Sequence, residues 1–266
     1  MKITSLLLLP LLAGCRFMEA MYLPMREPLQ ETTRAARPGP MWEPSSFSEM
    51  ARAVNNNAPD SRARVSRSGT VSFASGQYKE DFRFEYDWFS PERWSLNLYR
   101  GADLLEELQM REPVLLYQNI RKDVALRSHP EEVWKALGEL SWRAYLRDFV
   151  GYLRYPNFDP SCDWVVEEDG VRHLIIARVL PGQGRPLKEQ IYLHKKRRVV
   201  ARIVRNTAEE YIVEDIHFDA FREVSGSLMP QRIVAEYPHA GVVLRVHASA
   251  TTLYRPEPPA RGLRDL

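Results

Sequence analysis

Cysteine is nearly absent from this chain, which has two, Cys15 and Cys162, among its 266 residues. So few cysteines exclude the disulfide framework that holds small secreted domains together. A charge excess of one sign is lacking as well, because 37 Lys and Arg residues nearly balance 35 Asp and Glu residues. The composition therefore gives no basis for a nucleic-acid partner.

The residue patterns of common enzymes are also missing. The six histidines are scattered, without the HExxH or His-x-His spacing of zinc sites. The chain has no G-x-S-x-G nucleophile motif and no glycine-rich phosphate loop. Adjacent carboxylates, such as Glu106 and Glu107, are expected to be solvated rather than catalytic. These observations predict a protein that is not an enzyme and that uses no metal or other cofactor.

One basic cluster, Lys195 to Arg198, lies between two apolar runs. A solvated hairpin turn is one interpretation of it. The other is contact with anionic lipid headgroups, worth roughly 1 kcal/mol per basic residue.

The N-terminus has the features of an export signal. Lys2 precedes a short apolar run, Ile3 to Leu12, which is well below the roughly 20 residues that span a bilayer. The run ends in Leu-Ala-Gly-Cys, the pattern of a lipobox, in which the cysteine sulfur receives diacylglycerol. The sequence thus predicts a signal peptide over residues 1–14 and lipidation of Cys15. The alternative is an ordinary signal peptide that happens to contain a cysteine.

Arg16 follows the predicted lipid-bearing cysteine. Aspartate at that position is the usual signal for retention at the inner membrane, so Arg16 favours the periplasmic face of the outer membrane. If Cys15 carries lipid, Cys162 has no intramolecular disulfide partner and is expected to be either buried or a free thiol. Residues 15–41 are polar and rich in proline, which predicts an extended spacer.

The rest of the chain is predicted to form one domain over residues 42–255, followed by an irregular tail over residues 256–266. Helical spacing predicts a short helix from Ser46 or Phe47 to about Asn55 and a long amphipathic helix from Pro130 to about Tyr155. Period-two alternation predicts about eleven strands. These fall at residues 82–88, 94–98, 104–110, 114–120, 164–166, 171–178, 190–194, 199–204, 211–218, 228–237 and 242–253.

Many strands in succession with a helix inserted midway predict a mainly β, α+β protein. The expected architecture is a curved antiparallel half-barrel of about eleven strands, covered by a lid helix. Such a half-barrel can enclose an apolar lumen that is open to a ligand. The candidate lumen residues share one face of two adjacent strands, and they are Phe84, Tyr86, Trp88, Trp94, Leu96 and Leu98.

Three stretches carry a resemblance to a known family. They are FRFEYDWFSPERWSLNLYRGADLLEEL (82–108), HPEEVWKALGELSWRAYLRDFVGYLRYP (129–156) and EDIHFDAFREVSGSLMPQRIVAEYPHAGVVLRVHASA (214–250). Their aromatic strands, glycine-containing hairpin and amphipathic helix resemble the lipoprotein-localisation family of the periplasmic carrier LolA and the outer-membrane receptor LolB. The resemblance is closest to the anchored receptor, LolB.

The resemblance implies a protein that binds acyl chains or whole lipoproteins in its lumen and receives them at the membrane. Its implied partners are membrane lipid through Cys15, acyl chains or other lipoproteins, and a soluble LolA-like carrier, with the protein itself a monomer. One position departs from LolB. Arg100, before Gly101, stands where the family has an exposed leucine associated with membrane insertion. The alternative function is a structural or regulatory envelope lipoprotein with the same fold and a filled, non-binding core.

Overall fold

A computed structural model describes residues 47–59, 63–139, 141–155, 162–180 and 186–254. Within these residues, thirteen antiparallel strands form a single open sheet. Its strands are β1 Arg64–Ser75, β2 Tyr78–Ser90, β3 Arg93–Arg100, β4 Asp103–Arg111, β5 Val114–Asn119, β6 Val124–Ser128, β7 Val165–Asp169, β8 His173–Leu180, β9 Leu187–His194, β10 Val199–Asn206, β11 Ile212–Val224, β12 Ser227–Tyr237 and β13 Val242–Tyr254.

The sheet consists of two meanders that meet in its middle. Strands β1 to β6 pair in succession, and so do β7 to β13. The meanders are joined because β1 pairs with β13, from Arg64 opposite Tyr254 to Ser75 opposite Val242. Strands β6 and β7 are therefore the two edges.

The predicted strand number, about eleven, is too low, since β1 and β6 were not predicted. On β1, Arg67 and Gly69 occupy buried positions between Val65 and Val71 and interrupt the apolar alternation. Strand β6 is a short edge strand with mostly exposed side chains, so it carries little apolar pattern. The other strands occur where alternation predicted them.

Gly69 lies at a bulge in the pairing of β1 with β13. A Cβ atom built on Gly69 would lie 2.0 Å from the carbonyl oxygen of His247. Only glycine fits this contact, which explains why a glycine occupies a central strand.

Three α-helices accompany the sheet in the described part of the chain: α1 Phe47–Asn57, α2 Pro130–Gly138 and α3 Leu146–Arg154. The short N-terminal helix is confirmed. The single long helix is wrong, because a 3₁₀ turn, Ser141–Tyr145, separates α2 from α3. This turn places Trp142 against the rings of Phe73 and Phe82, at centroid distances of 4.4 and 5.0 Å.

Helices α2 and α3 cover one side of the sheet, which we call the inner face. Phe149 of α3 packs edge-on against Phe84 of β2 and Phe73 of β1. Burial alternates along the central strands, with the apolar side chains on this face. The arrangement fits the predicted curved half-barrel covered by helix.

The described residues contain no helix that is both long and apolar enough to span a bilayer. Cys15, the spacer over residues 15–41 and the tail over residues 256–266 lie outside the described residues. The lipobox, the anchor and the domain boundaries stay predictions.

Candidate functional site

The six residues predicted to line a lumen form one patch on the inner face. Adjacent strands pair them as Phe84 with Leu98, Tyr86 with Leu96, and Trp88 with Trp94. None of the six is more than 7% exposed. The structure therefore brings together every predicted member of this wall, which we call the aromatic wall.

Helical side chains close the aromatic wall. The Phe149 ring lies 5.6 Å from that of Phe84, at 88°. Trp134 of α2 stacks on Trp94, with centroids 6.3 Å apart and an angle of 15°. A ligand could reach the wall only if these helices moved, and the role of the wall in lipid binding stays a prediction.

The apolar layer extends beyond the predicted wall. Leu108 of β4 and Leu115 and Tyr117 of β5 continue the buried surface toward the β6 edge. These strands alternate less clearly, because Glu106 and Asn119 also face inward. Pairing β4 with β3, and β5 with β4, in a predicted meander would have placed Leu108 opposite Leu96 and Tyr117 opposite Leu108.

The other half of the inner face carries a ladder of alternating charges. Arg178 of β8, Glu189 of β9, Arg205 of β10 and Glu214 of β11 are consecutive register partners. Arg178 Nε donates to Glu189 Oε2 at 2.7 Å, and Arg205 Nε donates to Glu189 Oε1 at 3.0 Å. Arg205 also donates to Glu214. We call the half of the inner face that carries the charge ladder the ionic half, although it also contains buried apolar residues such as Ile191 and Ile216, and the half that carries the aromatic wall the apolar half.

The charge ladder ends on helix α3. The Tyr152 hydroxyl donates to Glu214 and lies 3.0 Å from the hydroxyl of Tyr237, which donates to Asp148 at 3.1 Å. Burial and, after it, the nearby Asp148 carboxylate raise the pKa of Glu214 to about 8. Burial raises the pKa of Asp148 as well.

Cys162 lies at the opposite end of the charge ladder. The residue is partly exposed and forms no disulfide within the part of the chain that the structure describes, and its thiol accepts a hydrogen bond from Arg178 Nη1 at 2.8 Å. Of the two states expected for this residue, the free thiol is the one observed.

The Arg100–Gly101 hairpin lies at the end of the apolar half. Gly101 has a φ of +62°, which the tight turn between β3 and β4 requires. Arg100 forms an ion pair with Glu80 of β2. A cavity of about 170 Å³ lies beside it, and its lining includes Phe82, Trp142 and Arg143.

Glu106 lines the same cavity and corrects an expectation. It was expected to be solvated, but it is 2% exposed and forms an ion pair with Arg143 of the 3₁₀ turn. The alternation of β4 turns its side chain inward. Burial raises the pKa of Glu106 despite that partner.

The basic cluster forms the hairpin turn between β9 and β10, as one of its two interpretations predicted. Lys195 is 7% exposed and paired with Asp169, so it cannot meet a lipid surface. Among the described residues, no group of three His, Cys, Asp or Glu side chains is placed to hold a metal ion.

Three donors on the inner face are notable. Arg67 Nε, the Tyr86 hydroxyl and Trp88 Nε1 are buried without a hydrogen-bond partner among the described residues. Arg67 Nη1 donates to the carbonyl oxygen of Leu153 at 2.9 Å, and its Nη2 donates to that of Pro230. Sequence reasoning missed Arg67, which lies on the strand that it did not predict.

Comparison by sequence finds no matching family model and no matching curated protein. Solved structures do match. A LolA superfamily protein from Nitrosomonas europaea is 11% identical, with a TM-score of 0.53, over 79% of this chain and 94% of that one. A DUF1329 family protein from Desulfovibrio piger is 12% identical, with a TM-score of 0.54, over 77% of this chain and 90% of that one.

A third structure, a putative outer membrane lipoprotein-sorting protein domain from Vibrio parahaemolyticus, has a TM-score of 0.56. It is 8% identical and matches 82% of this chain and 93% of its own. At such identities the likeness is one of fold. The chain shares its fold with these three proteins, one of which is a LolA superfamily protein.

Proposed function

We propose that this protein is a lipid-anchored envelope lipoprotein that binds acyl chains between the inner face and helices α2 and α3, as a LolB-like receptor. The observation that carries the proposal is the aromatic wall and its cover. The wall is apolar and continuous across β2 and β3, and what covers it is two nine-residue helices joined by a 3₁₀ turn. Such a cover can move without breaking any strand ladder.

The energetics suit a carrier. Burying a sixteen-carbon chain gains on the order of 12 kcal/mol, at about 0.8 kcal/mol per methylene. Lifting the cover loses the contacts of Phe149 with Phe84 and of Trp134 with Trp94. An entering chain would replace these apolar contacts with its own. The free energy lost when these contacts break offsets much of the free energy gained by burying the acyl chain. The acyl chain can therefore be released again.

The proposed location is the periplasmic face of the outer membrane, with lipid on Cys15 as the anchor. The lipobox and Arg16 support this location. The proposed partners are membrane lipid, acyl chains or other lipoproteins, and a soluble LolA-like carrier. The protein is proposed to act as a monomer.

The hairpin suggests that the protein accepts acyl chains without leucine-driven insertion. Arg100 takes the place of the LolB leucine, and its ion pair with Glu80 holds its side chain along the sheet. Charge and pairing both oppose entry of this hairpin into hydrocarbon.

Binding of a fluorescent fatty-acyl probe to the domain without its signal peptide tests the proposal. We expect its emission to rise on binding and to fall when phospholipid displaces it. Leu96→Glu should abolish the signal, because Leu96 is fully buried in the aromatic wall. Ser95→Glu is the matched control, since Ser95 points to the opposite face of the same strand.

The alternative is a structural or regulatory lipoprotein with a solid core, which the near-complete burial of the aromatic wall favours. In that case the wild-type domain binds no probe, and Leu96→Glu only unfolds it. Hydrogen exchange separates the two further. A movable cover predicts that amides of α2 and α3 exchange well before those of β2 and β3, whereas a solid core predicts exchange of both together.

A further inference from the structure

The inner face contains hydrogen-bond donors that lack acceptors. Arg67 Nε, the Tyr86 hydroxyl and Trp88 Nε1 have no partner in the described part of the chain. Their side chains belong to residues that are 1%, 1% and 7% exposed, respectively. Buried polar atoms are nearly always paired, so three unpaired donors on neighbouring residues of two paired strands require an explanation.

The three residues that carry these donors are neighbours on the inner face. Arg67 of β1 is the register partner of Tyr86 of β2, and Trp88 follows Tyr86 on the same face. The last turn of α3 covers them. Its Leu153 carbonyl accepts from Arg67 Nη1, and its Arg154 guanidinium lies 4.4 Å from the centre of the Trp88 ring. We call these three residues the donor cluster.

The donor cluster has positive charge and no carboxylate. Among the described residues, the acceptors of Arg67 are only the carbonyl oxygens of Leu153 and Pro230. Burial lowers the pKa of Arg67 to about 10, so the guanidinium is still charged at neutral pH. Arg178 and Arg205, on the ionic half, are instead paired with Glu189. A buried cation surrounded by donors would be stabilised by an anion that accepts hydrogen bonds.

The donor cluster adjoins the aromatic wall, to which Tyr86 and Trp88 also belong. A ligand that satisfied both would carry an anionic acceptor joined directly to a long apolar chain. A fatty-acid carboxylate has this form, with two acceptor oxygens on the first carbon of the chain. The phosphate of a phospholipid is separated from its chains by glycerol and ester groups.

We propose that the donor cluster binds the carboxylate of a long-chain fatty acid whose chain lies on the aromatic wall. This inference rests on the proposed acyl-chain binding and adds the headgroup that the site selects. Tyr86 and Trp88 each donate one hydrogen bond to the carboxylate, and Arg67 donates one while supplying the opposite charge.

Two fluorescent sixteen-carbon probes test the inference, one with a free carboxylate and one with the same group as its methyl ester. Wild-type protein should bind the acid at least tenfold more tightly at neutral pH. Tyr86→Phe removes only an unpartnered hydroxyl and should therefore fold normally. It should weaken binding of the acid about three- to tenfold and leave binding of the ester unchanged. Arg67→Met should make the two affinities equal.

Tyr117→Phe is the matched control. Tyr117 is equally buried, but its hydroxyl already contacts Glu106 and Arg143. Its loss should leave the preference for the acid intact. Equal binding of both probes by wild-type protein, or a Tyr86→Phe variant with undiminished preference, would overturn the headgroup site while acyl-chain binding stands. Absence of binding by either probe would overturn both.

Discussion

The Tyr152 hydroxyl donates a hydrogen bond to the Glu214 carboxyl group and so connects helix α3 to strand β11. Asp148, one turn earlier on α3, contacts Tyr237 beside the same carboxyl group. The cover of the inner face is therefore held on the ionic half by groups that titrate. Over β2 and β3 it is held by ring contacts of Phe149 and Trp134, which do not titrate.

The first prediction concerns pH. The pKa of the Glu214 carboxyl is about 8 in the folded protein, against an ordinary value of 4.5. Between these values the folded state keeps a proton that the unfolded state releases, so the free energy of unfolding falls as pH rises from 5 to 8. Glu214→Gln cannot ionise and should lack this loss. Urea denaturation should show the variant gaining stability relative to wild type over that interval.

Two comparisons isolate that effect. His194, whose pKa is lowered to about 4 by burial and by neighbouring charges, gives a slope of opposite sign in both proteins and cancels in the difference. Glu131→Gln, at an exposed ion pair with Arg147, should leave the wild-type slope unchanged. A difference between wild type and Glu214→Gln that stays constant from pH 5 to 8 would contradict the prediction.

The second prediction concerns the cover. Phe149→Ala removes a fully buried ring that contacts Phe73 and Phe84. We expect a loss of about 3–5 kcal/mol in the free energy of unfolding, typical of a buried aromatic ring. Val179→Ala, at a side chain that is 70% exposed, should change stability little. The free energies of unfolding are measured by urea denaturation. Equal losses for the two substitutions would show that α3 does not pack as described.

The third prediction compares two glycines. Gly69→Ala would place a methyl group 2.0 Å from the His247 carbonyl oxygen and should push apart the strands that join the two meanders. Gly151→Ala in α3 meets no atom within 4 Å and should stabilise the helix by roughly 0.5–1 kcal/mol. The midpoint temperature of thermal unfolding, followed by circular dichroism, should therefore fall for Gly69→Ala and rise for Gly151→Ala. A Gly69→Ala variant as stable as wild type would contradict the close contact between Gly69 and the backbone of β13.

The fourth prediction concerns the anchor. Cys15→Ser removes the only sulfur of the predicted lipobox. The variant should accumulate as an unprocessed or soluble protein, and Cys162→Ser should behave as wild type in the same fractionation. Variant protein that is processed and still sediments with membranes after a carbonate wash would show that another element holds it there.

The aromatic wall was predictable because Phe82 to Trp88 and Trp94 to Leu98 each alternate without interruption, and the apolar members of both stretches are buried. Strand β1 was not, since Arg67 and Gly69 occupy its buried positions for reasons found on other strands. The bulge requires the glycine, and the carbonyl groups of Leu153 and Pro230 accept from the arginine. A pattern read along one strand contains no information about either.

The charge ladder was beyond sequence reasoning for a related reason. Arg178, Glu189, Arg205 and Glu214 lie on four different strands, and each is an ordinary surface residue type when taken alone. Only the pairing register makes them neighbours. The break between α2 and α3 is similar, because Trp142 turns toward Phe73 and Phe82, which are distant in sequence.

The pairing of β1 with β13 also has a consequence for the order of folding. Strand β1, the first in the chain, has the last strand, β13, as its second neighbour. Arg64 therefore cannot pair with Tyr254 until the last strand has been synthesised. Contacts so distant along the chain form slowly, because loop entropy is lost before they are made. A nascent chain lacking residues 242–254 would hold the β1–β6 meander with β1 exposed as a free edge, and a second meander without its last strand. If the predicted signal peptide directs export, slow formation of this pairing would favour an unfolded chain during passage through a translocon.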